Sequence, residues 1–347
     1  MRLRRSDPNT SGIRRQRRGR GFRYLAADGT PVTDPELLRR IRGLVIPPAW
    51  RDVWICPHPA GHIQAVGVDD AGRRQYIYHE QWRRQRDVEK HQRVLDLARR
   101  LPRFRAAVKA DLDAGGTGRN RVLAAALRML DVGVFRTGGE EYAEDNGTHG
   151  AATLLREHVR KSGDELVFCY TAKGGIERTV RIRDADLAAV ISTLRRARPP
   201  TDRLLAYREN GRWHEVHAED INERFKELAG ERFTAKDLRT WNATVLAATA
   251  FAETERPTSK RGRARAVTAV MREVAEELGN TPTVARKSYV DPRVVRAWEE
   301  GITIAPAVRR ARGQVAAGGQ DAPERMRATL ERAVARMLAR MDPEPDS

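Results

Sequence analysis

The chain is 347 residues long with a formal net charge of +18, a field that attracts polyanions and makes nucleic acid the expected target. Hydrophobic residues make up 40% of it, which excludes a disordered polycation, and the length suggests two domains. Two cysteines, Cys56 and Cys169, are too few for a disulfide framework, so a reducing compartment is expected.

The run from Arg2 to Arg20 holds eight arginines and lacks the apolar stretch of a signal peptide. It reads as a flexible basic arm over residues 1–20, either solubilising or touching DNA nonspecifically. No segment is long and apolar enough to span a bilayer, so a cytoplasmic, nucleoid-associated protein with no membrane partner is expected. From Phe22 to Tyr78 short strand-like pieces alternate with turns: Phe22 to Ala26, Val53 to Cys56, His62 to Val68, and Arg74 to Tyr78. This predicts a small β-rich domain over 21–87. Tyr76 and Tyr78 share a face by the two-residue period. With Gln75, and with Arg83 and Arg86 just beyond, they suit a surface lying in a DNA groove, or else an ordinary half-buried strand with basic flanks. Cys56, His58 and His62 have metal-ligand chemistry, but Pro57 and Pro59 favour a plain loop, and no metal is expected.

Helical spacing dominates after Trp82, as in Val88 to Leu101 and Arg121 to Leu130. The glycines between them, Gly115, Gly116 and Gly118, lack the Lys-Ser/Thr of a phosphate loop, so no nucleotide cofactor is implied. A β island follows: Thr153 to Val159, Glu165 to Thr171, and Ile176 to Ile182, with Lys173 at a hairpin tip before Gly174 and Gly175. Helices resume at Ala218 to Ala229 and at Ala235 to Glu253, where Thr234 and Asp237 form a capping box that places Arg239 near the helix start. Ala264 to Leu278 stops at Gly279, and Thr281-Pro282 opens a short helix ending near Tyr289. Asp291-Pro292 caps Arg293 to Glu300. Gly313 to Gly319 reads as a linker, and Glu324 to Met341 as a docking helix with Met326, Leu330, Val334, Met337 and Leu338 at helical spacing. The fold class is α+β: a β-rich N-terminal domain, a larger mainly helical catalytic domain over 88–312 with a three-stranded insert, and a linker with C-terminal helix over 313–347.

Cutting DNA through a side chain needs a nucleophilic oxygen, donors for the charge building on the phosphate, and an acid for the leaving alkoxide. Tyr289 supplies the oxygen, and neighbouring guanidiniums or a base must favour its ionised form. Arg136 and Arg239 suit bidentate binding of nonbridging oxygens. Lys173 can reach the departing 5′ oxygen from its hairpin tip. Asn280 can donate to a phosphate oxygen but cannot ionise.

These motifs together resemble the type IB DNA topoisomerases, in particular the small poxvirus-like members found in bacteria. The matching residues are Phe135-Arg136-Thr137-Gly138-Gly139-Glu140-Glu141-Tyr142, Lys173-Gly174, Lys236-Asp237-Leu238-Arg239-Thr240-Trp241, Leu278-Gly279-Asn280-Thr281-Pro282 with Lys287-Ser288-Tyr289, and Gly72-Arg73-Arg74-Gln75-Tyr76-Ile77-Tyr78. The resemblance spans Phe22 to Glu300. It implies a covalent 3′-phosphotyrosine at Tyr289, rotation of the 5′-hydroxyl strand and religation, without ATP or an obligatory metal. It also implies a clamp of two lobes around double-stranded DNA, with Arg136, Lys173, Arg239 and Asn280 around the scissile phosphate. Gln75, Tyr76, Tyr78 and Tyr142 match positions that touch DNA in poxvirus members. Two departures stand out: the family often has His where Asn280 stands, and poxvirus enzymes carry a basic base-reading residue where Gly139 lies. The chemistry needs one chain, so a monomer is expected.

Two rival readings have distinguishing features. A tyrosine recombinase usually shows His-x-x-Arg where this chain has Lys236-Asp237-Leu238-Arg239, and lacks a β domain of this kind. A noncatalytic basic DNA-binding protein would form no covalent adduct.

Overall fold

The computed structural model describes residues 2–133, 135–140, 147–319 and 321–341, and the chain separates into two units, Met1–Glu89 and Lys90–Ser347. The first is built on a five-stranded antiparallel sheet. Its strands are β1 (Ile13–Arg18), β2 (Gly21–Leu25), β3 (Arg51–Ile55), β4 (Ile63–Val68) and β5 (Arg74–Tyr78), in the order β2-β1-β3-β4-β5. Helix α1 (Pro35–Gly43), capped by Asp34 and opened by Pro35, buries Ile41 in a small core with Ile13, Val53, Ile55 and Ala65.

The expected free arm is corrected here, because most of residues 1–20 are tied into this sheet. The β1–β2 hairpin pairs Arg14 with Leu25 and Arg18 with Gly21. Arg15 donates to the carbonyls of Ile46, Pro47 and Trp50 at 3.2, 3.0 and 2.6 Å. Nearer the terminus, the Arg4 N–H donates to the Ala60 carbonyl at 2.8 Å, and Ser6 Oγ to that of Ile63 at 3.0 Å. Backbone pairing and a few guanidinium contacts thus order a strand with a single buried apolar residue, Ile13. His62 accepts from the Ser6 N–H through Nδ1 (3.0 Å) and sets its ring edge-on to Trp82, while Cys56 is buried.

Helix α2 (Glu80–Asp113) opens in the first unit and leads into the second, and the Gly115–Gly118 turn joins it to α3 (Arg119–Val132). The segment expected to begin a strand at Thr153 instead makes two 3-10 turns, Ala151–Thr153 and Arg156–His158, so the strand β6 starts at Val159 and runs to Ser162. It pairs with β7 (Glu165–Ala172), which pairs with β8 (Ile176–Ile182). Then come α4 (Ala185–Ala197), a hairpin of β9 (Ala206–Glu209) and β10 (Arg212–Glu215), and α5 (Ala218–Ala229).

Helix α6 (Ala235–Glu253) is buried nearly all round and forms the axis of this unit. Around it pack α3, α7 (Lys260–Leu278), α8 (Pro292–Glu299), α9 (Ala305–Ala316) and α10 (Ala322–Arg340). Part of the expected linker is therefore helical: α9 continues to Ala316, and Gly318 and Gly319 follow with positive φ. The apolar stripe of α10 docks as its spacing predicts, with Val334, Met337 and Leu338 buried. Among the described residues, no helix is long and apolar enough to cross a membrane.

Candidate active site

Four of the five expected catalytic side chains meet where α7 ends. Arg136 is placed from behind by Phe135, which is buried and packs against Phe168 and Tyr170 at centroid distances of 5.2 and 5.5 Å. Its own carbonyl accepts from the Ala151 N–H at 2.8 Å. Gly138, at φ +87°, lies so close to Gly150 that a Cβ on Gly150 would stand 2.6 Å from the Gly138 Cα. Two glycines in the motif and its neighbour are thus required for the backbones to cross. From this seat Arg136 Nη2 donates to the Gly279 carbonyl at 3.1 Å and to Asn280 Oδ1.

Arg239 sits in the second turn of α6, buried, and donates through Nη2 to the Leu278 carbonyl. The start of α6 is firm: Thr234 and Asp237 cap each other, and Arg93 grips the Asp237 carboxylate at 2.9 Å. Asn280 follows the helix stop at Gly279, whose φ is +57°. Its Nδ2 is buried without a hydrogen-bond partner.

Beyond Thr281 a single helical turn, Pro282–Val284, widens into a π turn, Ala285–Tyr289, closed by Val290 N–H donating to the Ala285 carbonyl at 3.0 Å. Such widened turns recur at functional sites. Thr244 of α6 anchors the far end: its Oγ1 lies 3.3 Å from the Tyr289 carbonyl and accepts from the Asp291 N–H at 3.2 Å. The half-buried Tyr289 ring then lies with its centroid 5.3 Å from the Arg239 guanidinium carbon.

Burial pushes Arg239 down to about 10, and repulsion from Arg136 adds to the drop; the Tyr289 oxygen opposes it by charge and by a hydrogen bond. Burial also lowers Arg136, again with Tyr289 opposing. Both guanidiniums therefore gain from negative charge brought between them, which is the electrostatic demand of a phosphate site.

Lys173 occupies the exposed β7–β8 tip before Gly174 and Gly175, both left-handed. The residue of that hairpin that reaches the cluster is Arg178, which was not anticipated. It pairs with Tyr170 across the strands and donates to the Glu277 carbonyl at 2.6 Å. A hairpin tip at 173–175 already sets 170 opposite 178 by counting, so the signal was present in the turn. Thr244 carried no such signal.

In the first unit, Tyr76 and Tyr78 stand exposed and stacked on edge strand β5, with centroids 5.9 Å apart. The pleat turns Gln75 to the other face with Ile77, where its Nε2 donates to Asp69 Oδ2 at 2.9 Å. Arg83 is exposed near the start of α2, and Arg86 lies over the Trp82 ring at 4.4 Å. Tyr142 lies outside the described residues. A separate recess opens elsewhere in the second unit. It is lined by ion-paired side chains such as Arg105, Arg128 and Arg327, and includes none of the five expected catalytic residues.

Residues 79–307 match the family described as eukaryotic DNA topoisomerase I, catalytic core, and 21–69 match the bacterial DNA topoisomerase IB N-terminal domain. A DNA topoisomerase 1B of Acanthamoeba polyphaga mimivirus is 31% identical over 287 residues, covering 80% of this chain and 85% of the relative. The DNA topoisomerase 1B of Vaccinia virus (strain Copenhagen) is 23% identical over 228 residues, covering 65% and 69%. Among solved structures, a XerH site-specific recombinase in a post-cleavage complex with difH shares 16% identity at a TM-score of 0.37, covering 58% of this chain and 49% of that one.

Proposed function

This chain belongs to the type IB DNA topoisomerases, and from that membership we propose that it relaxes supercoiled DNA through transient attachment to Tyr289. The Tyr289 oxygen attacks the scissile phosphorus, losing its proton to solvent. An O–P bond forms to the 3′ side as the bond to the 5′ oxygen breaks. Lys173 gives that oxygen its proton. Arg136, Arg239 and Asn280 hold the nonbridging oxygens as charge builds. The freed 5′-hydroxyl strand rotates and then attacks the phosphotyrosine, restoring the duplex and the tyrosine. Bond number is conserved through both steps, so the cycle requires no ATP.

The observation that carries this reading is the Tyr289 ring held beside Arg239 while Arg136 engages Asn280 on the same loop. Tyr76, Tyr78, Arg83 and Arg86 are proposed to line the duplex, with Gln75 and Tyr142 as further contacts and the two units acting as a clamp. A single chain in the cytoplasm suffices. The test is relaxation of a supercoiled plasmid without ATP and with chelator, followed by denaturant trapping. We expect relaxation on any plasmid and a protein–DNA adduct that Tyr289→Phe abolishes. An adduct surviving that substitution, or activity confined to paired specific sites, contradicts the reading.

A further inference from the structure

Three successive carbonyls at the end of α7 each accept from a different arginine. Glu277 accepts from Arg178 at 2.6 Å, Leu278 from Arg239, and Gly279 from Arg136 at 3.1 Å. Two of these arginines already belong to the phosphate site. Arg178 arrives from β8, and its stem lies against Gly279, where a Cβ would stand 2.8 Å from the Arg178 Cδ. Its charge adds to the lowering of both Arg136 and Arg239, behind burial in each case. With them it opposes the upward push that burial gives Tyr170. Three guanidiniums therefore share one neighbourhood.

A helix C-terminus offers about half a negative charge, far less than three cations can use. Each carbonyl takes one N–H of its arginine and brings no formal charge. A phosphodiester brings one negative charge, and the attack of a phenolate raises the total to two. We propose that Arg178 is a third phosphate-binding guanidinium: with DNA in place it turns from the Glu277 carbonyl to a nonbridging oxygen of the scissile phosphate. The end of α7 holds the three arginines in position until the phosphate arrives. Asn280 contributes a buried donor but no charge, and Arg178 supplies the charge beside it. The same hairpin then carries the acid Lys173 and this cation, so one element serves both the phosphate and the leaving group. The inference rests on Tyr289 being the nucleophile.

The test is single-turnover cleavage by the full chain of a duplex whose cleavage position has been mapped with the unaltered protein. The duplex carries either a phosphodiester or an uncharged methylphosphonate at that position. Arg178→Gln keeps much of the stem and a donor for the Glu277 carbonyl but loses the charge. It is expected to slow phosphodiester cleavage on the order of 100-fold at saturating protein, as removal of a charge-stabilising donor does. Noncovalent DNA binding should change little. On the methylphosphonate the deficit should shrink several-fold, and Arg178→Lys should recover part of the lost rate. An unaltered rate for Arg178→Gln overturns the proposal. So does equal slowing on both duplexes, which would mean that Arg178 merely secures α7. Tyr289→Phe run alongside separates the two failures, because an adduct from that variant defeats the nucleophile assignment itself.

Discussion

Asn280 accepts from Arg136 through Oδ1 while its buried Nδ2 has no hydrogen-bond partner. An unsatisfied buried amide costs about 1–3 kcal/mol, a cost that a phosphate oxygen bound there would relieve. Asn280→Ala should therefore slow single-turnover cleavage about tenfold or more without lowering the unfolding midpoint. Asn280→Asp should be slower still, since a carboxylate against Arg136 would pair with it and repel the phosphate. A rate for Asp at or above that for Ala would contradict this account. For Lys173, replacement by Ala should slow cleavage of ordinary DNA far more than of a 5′-phosphorothiolate, whose sulfur leaves without protonation. Equal slowing of both would remove the acid role. The cluster was legible where a side chain and its turn lie in one short motif, as for Arg136, Arg239, Asn280 and Tyr289; for Lys173 the turn was legible, and the side chain stands exposed at its tip. Arg178 could be found only by counting back from its hairpin tip to Tyr170, and Thr244, in the middle of a helix, carries no local mark of what lies opposite.

At the scale of elements, the first turn of α6 sets Arg239 through the Thr234–Asp237 box and the Arg93 clamp. Thr234→Ala should cost about 1 kcal/mol by urea unfolding and lower cleavage modestly, because both bonds of the Thr234 hydroxyl are lost while the Thr234 N–H and Arg93 still hold the Asp237 carboxylate. A loss of activity with no loss of stability would point instead to a direct role for Thr234. The helices whose apolar spacing or caps are strong, α5, α6, α7 and α10, could be read from the chain. Helix α1 carried the start signal Asp34-Pro35-Glu36, but its three apolar residues, Leu37, Leu38 and Ile41, make too short a stripe. Strand β1, Ile-Arg-Arg-Gln-Arg-Arg, reads as a charged tail because its order comes from pairing with β2 and β3 and from Arg15, not from burial. The β9–β10 hairpin turns at Asn210-Gly211, both left-handed, a recognisable signal flanked by strands of four residues.

Across the second unit, Asp131 on α3 joins helices far apart in the chain. Its carboxylate accepts from Arg105 of α2 at 2.8 Å and from Arg327 of α10 at 3.0 Å, and Glu331 of α10 pairs with Arg105 at 2.7 Å. The Asp131 carbonyl accepts from Asn242 of α6 at 3.0 Å, tying the network to the helix that carries Arg239. Burial alone would raise this carboxyl, but Arg327 and Arg105 hold it well below the usual carboxylate range. The stability it contributes is therefore complete above the unfolded value of about 3.9 and is lost as pH falls through the lower folded value. Asp131→Asn should cost about 2 kcal/mol at neutral pH, somewhat less than a wholly buried pair because both arginines are partly exposed. In urea unfolding the gap between the two proteins should stay level from pH 7 to about 5 and narrow only below about 4. Release of α10 should accompany the loss, seen as faster amide exchange around Val334 and Leu338 before the β6–β8 sheet is affected. A gap that closes near neutrality would show that the carboxylate is not what fastens the C-terminal helix to α2 and α3.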